Sequence, residues 1–334
     1  MSTQENKGLV AKIVLGIVGI YLLFATGLGV YWSDEPEIWN VNSAVEQDLV
    51  PYNAPRAPGF ATTSTLIRLA DLLLEKPGGY LTNDITPPGL WLDNIPSWEY
   101  GVLVQIRDLT RSLRKDIARS QSTSVENAEL AIAEPQFNFD SSSFWFPSSE
   151  SEYRRGILYL KKYQKSLVIQ ETNSGQFYAR ADNLRNWLAD VETRLGSMSQ
   201  RLSASVGKEQ LNVDLAGDSA ATQSATAPSE MRVQTGFLEL DDVFYEARGA
   251  SFALIHLLRA IEIDFHDVLA KKNALVSMQQ IIRELEASQQ PVMSPMILNG
   301  SGFGMLANHS LVMANYISRA NAAIIDLRRL LEQG

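Results

Sequence analysis

The stretch ADNLRNWLADVETRLGSMSQRL, residues 181–202, decides the fold class. Its apolar side chains recur at steps of three and four residues, which places them on one face of an α-helix. These residues are Ala181, Leu184, Leu188, Val191, Leu195, Met198 and Leu202. Such a regular seam predicts a long helix, over Ser174 to Ser205, whose apolar face packs along another helix.

The same helical periodicity dominates the chain from Thr62 onward, and almost no stretch shows the alternating pattern of a half-exposed strand. The sequence therefore predicts an all-α domain, a bundle of long antiparallel helices. The predicted helices are Thr62–Glu75, Ser97–Gln121, Glu150–Val168, Ser174–Ser205, Asp241–Lys271, Met278–Ser288 and Leu306–Glu332.

The apolar stripe of the helix predicted from Asp241 resembles the seam over Ser174 to Ser205. We expect the two helices to form a long antiparallel hairpin. An intermolecular coiled coil, and with it a homo-oligomer, is the alternative, because it uses the same seam geometry. The connection between the helices, Gly207 to Gly236, contains no aromatic residue and is rich in Ala, Ser and Thr at its centre. This composition predicts a flexible loop.

The amino-terminal region carries a membrane signal, because Ile13 to Trp32 runs without a charge for the length of a membrane-spanning helix. Lys7 and Lys12 precede this run and three acidic residues follow it, which predicts that the amino terminus faces the cytoplasm. We therefore expect a single-pass anchor in a bacterial inner membrane. A cleaved signal peptide is the alternative, although the apolar run is longer than such a peptide needs.

This topology divides the chain into four parts. Residues 1–12 form a cytoplasmic amino terminus and residues 13–32 the transmembrane anchor. Residues 33–60 contain four prolines and little periodicity, which predicts an extended tether. Residues 61–334 form a periplasmic helical domain, with the flexible loop at 207–236.

Composition excludes several classes of function. There are 29 basic and 38 acidic residues, a net charge of -9, which disfavours non-specific nucleic-acid binding because that requires a basic surface. The chain has no cysteine, which excludes disulfides, thiolate catalysis and cysteine metal sites, and it has three histidines. No P-loop or nucleophile elbow occurs. The sequence predicts no cofactor, no metal and no nucleic-acid partner.

A candidate polar cluster lies on the helix predicted from Asp241, where Arg259, Glu262 and His266 follow at three and four spacing. In a structural interpretation, the Glu262 carboxylate pairs with both neighbours and satisfies charges that are costly to bury alone. In a functional interpretation, a carboxylate that holds a histidine forms a proton acceptor or a ligand-binding group. A metal site is not predicted, because di-iron bundles use Glu-x-x-His on two helices.

A candidate basic surface lies on the helix predicted from Ser97. Arg107, Arg111 and Arg114 form an exposed stripe opposite the apolar face of that helix. The stripe is either a solvated face with carboxylate partners inside the domain, or a docking site for an acidic partner or lipid headgroups.

Aromatic residues in three connections that are rich in Pro, Gly and Asn form a third set of candidates. Exposed aromatic area is costly in water, so we expect these loops to be ordered. They either pack on the bundle ends or form a glycan or peptide groove, in which nearby carboxylates supply an acid and a base. The aromatic candidates are Trp91, Trp98, Trp145 and Phe303, and the carboxylates are Asp84, Asp93, Glu99, Glu134 and Asp140.

Four long segments carry a resemblance to a known family. They are PPGLWLDNIPSWEYGVLVQIRDLTRSLRKD from Pro87, FWFPSSESEYRRG from Phe144, FYARADNLRNWL from Phe177 and SPMILNGSGFGMLANHSLVMANYISRANAAIIDLR from Ser294. A shorter stretch, Ser197 to Gly207, matches in pattern, with Met198 where Leu is expected. These strings resemble an uncharacterised proteobacterial family, a domain of unknown function (DUF2333), over almost the whole domain. The resemblance implies a bacterial inner-membrane protein, and the family brings no assigned activity, cofactor or catalytic residue.

These observations predict a membrane-anchored periplasmic helical protein that contacts other envelope proteins as a scaffold or accessory subunit. Two alternatives stay open. One is a cell-wall-acting hydrolase that uses the loop carboxylates. The other is a helical bundle that binds a ligand at the polar cluster.

Overall fold

A computed structural model describes residues 2–121, 124–169, 175–211, 230–294, 296–300 and 305–333. It confirms the all-α fold class, because an apolar amino-terminal helix is followed by a bundle of helices around a large hydrophobic core. The helices are α1 Ser2–Trp32, α2 Val41–Leu49, α3 Phe60–Glu75, α4 Asn94–Ser112, α5 Ala128–Phe137, α6 Ser149–Val168, α7 Ala181–Ser203, α8 Leu240–Asp264, α9 His266–Lys271, α10 Leu275–Ala287 and α11 His309–Glu332.

The helices predicted from the sequence are all present, and most of their ends lie within a few residues of the prediction. α4 continues into a π-helical turn, Leu113–Ile117. The helix predicted over Asp241–Lys271 is divided into α8 and α9 by Phe265. α2 and α5 were not predicted. α5 contains Pro135 in its interior, which interrupts the usual helical signal, and its start is marked by Asn127, whose side chain caps the first turn.

α8 is the central helix of the bundle, and its backbone approaches that of α4 closely. A Cβ added at Gly249 of α8 would lie 2.0 Å from the carbonyl oxygen of Trp98, and one added at Gly101 of α4 would lie 2.1 Å from that of Glu246. Only glycine fits at these two positions, because the two backbones are in contact there.

α7 packs mainly along α11, and its contact with α8 is much smaller. Ser199 Oγ donates to the carbonyl oxygen of Ala314 at 3.4 Å, while Arg328 of α11 pairs with Glu192, so the two helices are antiparallel. The predicted hairpin between α7 and α8 is therefore wrong in its partner. The physical reason is that α8 is apolar around most of its circumference, and α4, α3 and α10 cover it.

The loop predicted over 207–236 begins and ends as a two-stranded antiparallel hairpin, β1 Lys208–Leu211 and β2 Glu230–Val233. The centre of that loop lies outside the described residues. Its flexibility stays a prediction.

Leu188→Ala and Leu195→Ala should each lower the free energy of unfolding by about 2 to 5 kcal/mol, the range for large cavities in a core. Both side chains are fully buried on the α7 seam. Denaturant unfolding of the full chain in detergent would measure this cost. The matched control is Leu158→Ala on α6, where the side chain is 52% exposed and the expected cost is below about 1 kcal/mol. Equal costs at all three positions would contradict the assignment of the seam to the core.

Candidate functional site

The segment that follows α1 is bound to the central helix by a buried ion pair. The Arg248 guanidinium of α8 donates to both carboxylate oxygens of Glu35, with contacts from 2.7 to 3.0 Å. It also donates to the carbonyl oxygens of Ser288 at 3.2 Å and Gln290 at 3.0 Å. Arg248 is buried, so its charge depends on these acceptors.

A stacked pair of rings attaches Trp39, four residues after Glu35, to α8. The indole of Trp39 stacks on the imidazole of His256, with ring centroids 3.6 Å apart. The backbone N–H of Trp39 donates to Nε2 of His256 at 3.2 Å, so Nε2 is the acceptor and Nδ1 carries the proton that is donated to the Phe252 carbonyl at 2.7 Å. Burial lowers the pKa of His256 to about 4, which keeps the imidazole neutral.

These contacts differ from the extended tether predicted over 33–60. Within that range α2 is a helix, with Asn40 as its cap and Val41 and Val45 buried. Asp48 at its end pairs with Arg68 of α3 at 2.7 Å. Proline content alone could not reveal the attachment of Glu35 and Trp39, because their partners on α8 lie more than two hundred positions away in the sequence.

The carboxyl-terminal half of α1 lies against the loop that connects α3 to α4. Tyr21 Oη donates to the carbonyl oxygen of Pro87 at 3.4 Å. Two turns further on, a Cβ added at Gly29 would contact Pro88 at 3.5 Å. Ala25, between these contacts, is 1% exposed. The apolar helix is therefore docked on the bundle over one of its faces.

An open groove of about 630 Å³ lies between residues 38–42 and the carboxyl-terminal part of α8. Arg259, Glu262 and His266 all line it, so the structure brings the three residues of the predicted polar cluster together.

The contacts of the cluster differ from the predicted ladder. Arg259 pairs with Glu286 of α10, and Glu262 accepts a hydrogen bond of 2.8 Å from Gln279 Nε2. His266 is exposed and starts α9, beyond the break at Phe265. The reason is that α10 runs antiparallel to α8 and offers closer partners than neighbours on the same helix.

The three arginines of the predicted basic surface are half-buried and have partners inside the bundle. Their partners are the carbonyl groups of Phe137 and Phe139 for Arg107, Asp108 and Asp190 for Arg111, and Glu126 and Glu134 for Arg114. The stripe predicted as exposed is thus engaged in joining α4 and its π-helical turn to α5 and α7.

The aromatic candidates lie in different environments. Trp98 is fully buried against Phe252, with ring centroids 5.1 Å apart. Trp91 and Trp145 are exposed on two connecting loops, and Phe303 lies outside the described residues.

Four of the five candidate carboxylates near these loops have structural partners, and the fifth, Asp84, lies against Gly89. Glu99 is fully buried, forms an ion pair of 2.6 Å with Lys76 and accepts from the backbone N–H groups of Leu81 and Thr82. Burial raises the pKa of Glu99, against the opposing effect of the Lys76 ammonium. Asp93 accepts from the N–H of Asn94, Asp140 from Ser142, and Glu134 from Arg114.

Sequence reasoning missed Glu35, Arg248 and His256, which together position the amino-terminal segment. A signal for two of them was available. Arg248 and His256 lie within residues 247–258 of α8, a stretch whose other residues are all apolar or small, and a polar side chain at a buried position requires a partner.

The fold, together with the contacts of Glu35 and Trp39 with α8, defines an all-α protein whose amino-terminal helix is docked on a helical domain. Ala11–Trp32 has the length and composition of a membrane span, and a signal sequence meets the same criteria. The chain belongs to a family of uncharacterised proteins conserved in bacteria (DUF2333), whose profile matches residues 4–334. No curated protein and no solved structure matches the chain.

The protein should lose stability as the pH falls from about 6.5 towards 4, and His256→Asn should lose less. The folded protein keeps His256 neutral to a pKa of about 4, whereas the unfolded chain protonates near the ordinary value of 6.5. Between these values the unfolded chain binds the additional proton, so acid favours unfolding, by up to about 3 kcal/mol.

Denaturant unfolding of both proteins across this pH range would measure the effect. Asn retains a side-chain donor for the Phe252 carbonyl, so the variant tests titration more than packing. The same pH dependence in both proteins would contradict the assignment of a neutral, buried His256.

Proposed function

We propose that this chain is a single-pass inner-membrane protein whose periplasmic helical domain acts through protein contacts, as an envelope scaffold or accessory subunit. In this proposal α1 is an uncleaved anchor. Its docking on the bundle supports that assignment, because removal of a signal peptide would expose the surfaces that α1 covers at Pro87 and Pro88.

The observation that carries the proposal is a set of exposed apolar side chains around the start of α8. Phe237 is 84% exposed and Leu238 is similarly exposed, immediately before α8. Met293, Met296 and Met305 are exposed on the segment that joins α10 to α11. Exposed clusters of large apolar residues are typical of interaction sites, and methionine adapts to varied partners.

The two segments lie at the same end of α8. Phe244, in the second turn of α8, contacts the imidazole of His309 with ring centroids 6.4 Å apart. His309 Nδ1 accepts from the N–H of Leu298 at 2.9 Å, which holds the methionine-bearing segment beside α8. Acidic residues at 239, 241 and 242 adjoin Phe237. They disfavour contact with anionic headgroups and so favour a protein as the partner.

The double substitution of Phe237 and Leu238 by Ser should abolish complementation of a deletion strain while the free energy of unfolding changes by less than about 0.5 kcal/mol, as at other surface sites. Val276→Ser is the matched control, because Val276 is also exposed but lies on α10. A photocrosslinking residue at Phe237 or Met293 should give an adduct with an envelope protein, and one at Val276 should not.

Two results would contradict the proposal. One is full complementation by the double variant. The other is crosslinking of equal strength at Val276, which would show that the adducts reflect exposure alone.

The ligand-binding alternative is supported by the groove that contains Arg259, Glu262 and His266, and Glu262→Gln distinguishes it from the scaffold. Glu262 is half-buried and bonded to Gln279, so the variant should lose less than about 1 kcal/mol of stability. Glu99→Gln is the matched comparison. It leaves Lys76 buried without its anion and should cost about 3 to 5 kcal/mol.

A scaffold should retain function in Glu262→Gln. If that variant unfolds at the same denaturant concentration as the wild type and yet fails to complement, the groove is a ligand site and the scaffold proposal is wrong.

A further inference from the structure

Two neighbouring loops present apolar side chains beside α1. The first joins α3 to α4 and exposes Ile85, Leu90 and Trp91. The second joins α5 to α6 and contains Trp145, which is 69% exposed, and Phe146, which is 90% exposed. Large apolar side chains at such exposure are costly in water, and the described residues leave most of their surface uncovered.

The two loops are held together at their bases. Asn83 Nδ2 donates to the carbonyl oxygen of Ser143 at 2.8 Å, and Tyr80 Oη donates to that of Ser141 at 3.0 Å. Asn83 precedes the exposed part of the first loop and Ser143 precedes that of the second. The exposed side chains therefore belong to one end of the bundle.

That end is continuous with the apolar helix. The hydroxyl of Tyr21, inside the candidate span, donates to Pro87 of the first loop. Tyr21 precedes Trp32 by eleven residues, about 16 Å of an ideal helix. The hydrocarbon core of a bilayer is about 30 Å thick. With Trp32 at the membrane surface, the first loop reaches the depth of the acyl chains.

The backbone of the first loop suits an apolar surrounding. Pro87 and Pro88 have no N–H group. Three of the N–H groups that follow donate within the loop, from Leu90 to Thr86 at 3.1 Å, from Trp91 to Pro88 at 2.9 Å and from Leu92 to Gly89 at 2.9 Å. Non-helical backbone is costly in lipid mainly through unpaired polar groups, and here these donors are paired.

Gly89 shows that the loop is tightly folded. A Cβ added there would lie 2.0 Å from Oδ2 of Asp84. The carboxylate is thus turned into the loop, beneath the short 3₁₀ helix Gly89–Trp91, while Leu90 and Trp91 point outward.

From this placement we infer that residues 85–91 and 144–146 form a lipid-binding surface that enters the membrane leaflet beside α1. The occupant is one leaflet of the bilayer, from its headgroup boundary to its acyl chains. Trp side chains are favoured at that boundary because one part of the ring is apolar and the N–H is polar. This inference rests on the membrane anchor of the proposed function and adds a second point of attachment.

A fluorescence experiment on the full chain tests the inference. The chain contains no cysteine, so one introduced cysteine can be labelled uniquely with an environment-sensitive dye. Leu90→Cys and Phe146→Cys report on the loops. Leu23→Cys, exposed within α1, reports on the anchor, and Val125→Cys, 93% exposed before α5, is the control for an exposed apolar position away from α1.

Each labelled protein is reconstituted in vesicles of phosphatidylethanolamine and phosphatidylglycerol that carry a doxyl-labelled quencher lipid. We expect a blue-shifted emission and strong quenching at Leu23, Leu90 and Phe146, and neither effect at Val125. Reconstitution in vesicles without quencher lipid should leave the intensity at all four positions unquenched.

The outcomes separate the inference from the proposed function. Quenching at Leu23 but not at Leu90 or Phe146 would overturn the lipid-binding surface and leave the anchor intact. Absence of quenching at Leu23 would overturn the anchor itself, and with it both proposals. A blue shift at Leu90 and Phe146 without quenching would mean that a protein surface covers the loops, which also overturns the inference.

Discussion

The ion pair between Glu35 and Arg248 is the constraint on which the arrangement of the chain depends. Arg248 lies on the central helix at a buried position, where an unpaired guanidinium would be costly. Glu35, three residues beyond α1, supplies the anion. Because the partners are separated by most of the chain, the pair fixes the end of α1 to the centre of the bundle. The stacking of Trp39 on His256 adds a second point of attachment four residues further along the chain. A helix held in this way cannot swing freely relative to its domain.

The fold class was predictable because it depends on local periodicity. The seam through Leu188 and Leu195 places apolar residues on one helical face wherever the partner lies. The choice of partner was not predictable on that basis. α8 is apolar on several faces, so its stripe fitted α7 equally well, and the structure uses those faces for α3, α4 and α10. The Gly101 and Gly249 contact decides the α4 pairing, and a single glycine in a helical pattern gives no indication of which helix it meets.

The candidate site was likewise predictable only in the features that depend on local spacing. Spacing placed Arg259, Glu262 and His266 on one helix, and the structure does bring them to one groove. Spacing could not show that α10 supplies Glu286 and Gln279 as partners. Charged side chains bond with the nearest acceptor or donor in space, and that depends on how helices pack. The tether was mispredicted for a related reason, because prolines describe local backbone preference while Glu35 and Trp39 are held by residues more than two hundred positions away.

For the proposed membrane-anchored scaffold, the fixed position of α1 also restricts where a partner protein can bind. α4 begins directly after the loop beside α1, and Ser97 in its first turn donates to Asp242 in the first turn of α8 at 2.8 Å. The exposed Phe237 and Leu238 precede that turn, so they lie at the same end of the bundle as the docked helix. A long flexible tether would let the domain reach proteins anywhere across the periplasm. In the proposed topology, where α1 is the anchor, the pair of Glu35 and Arg248 would hold this end close to the bilayer. The partner of the proposed scaffold must therefore lie at the membrane surface or within the membrane itself.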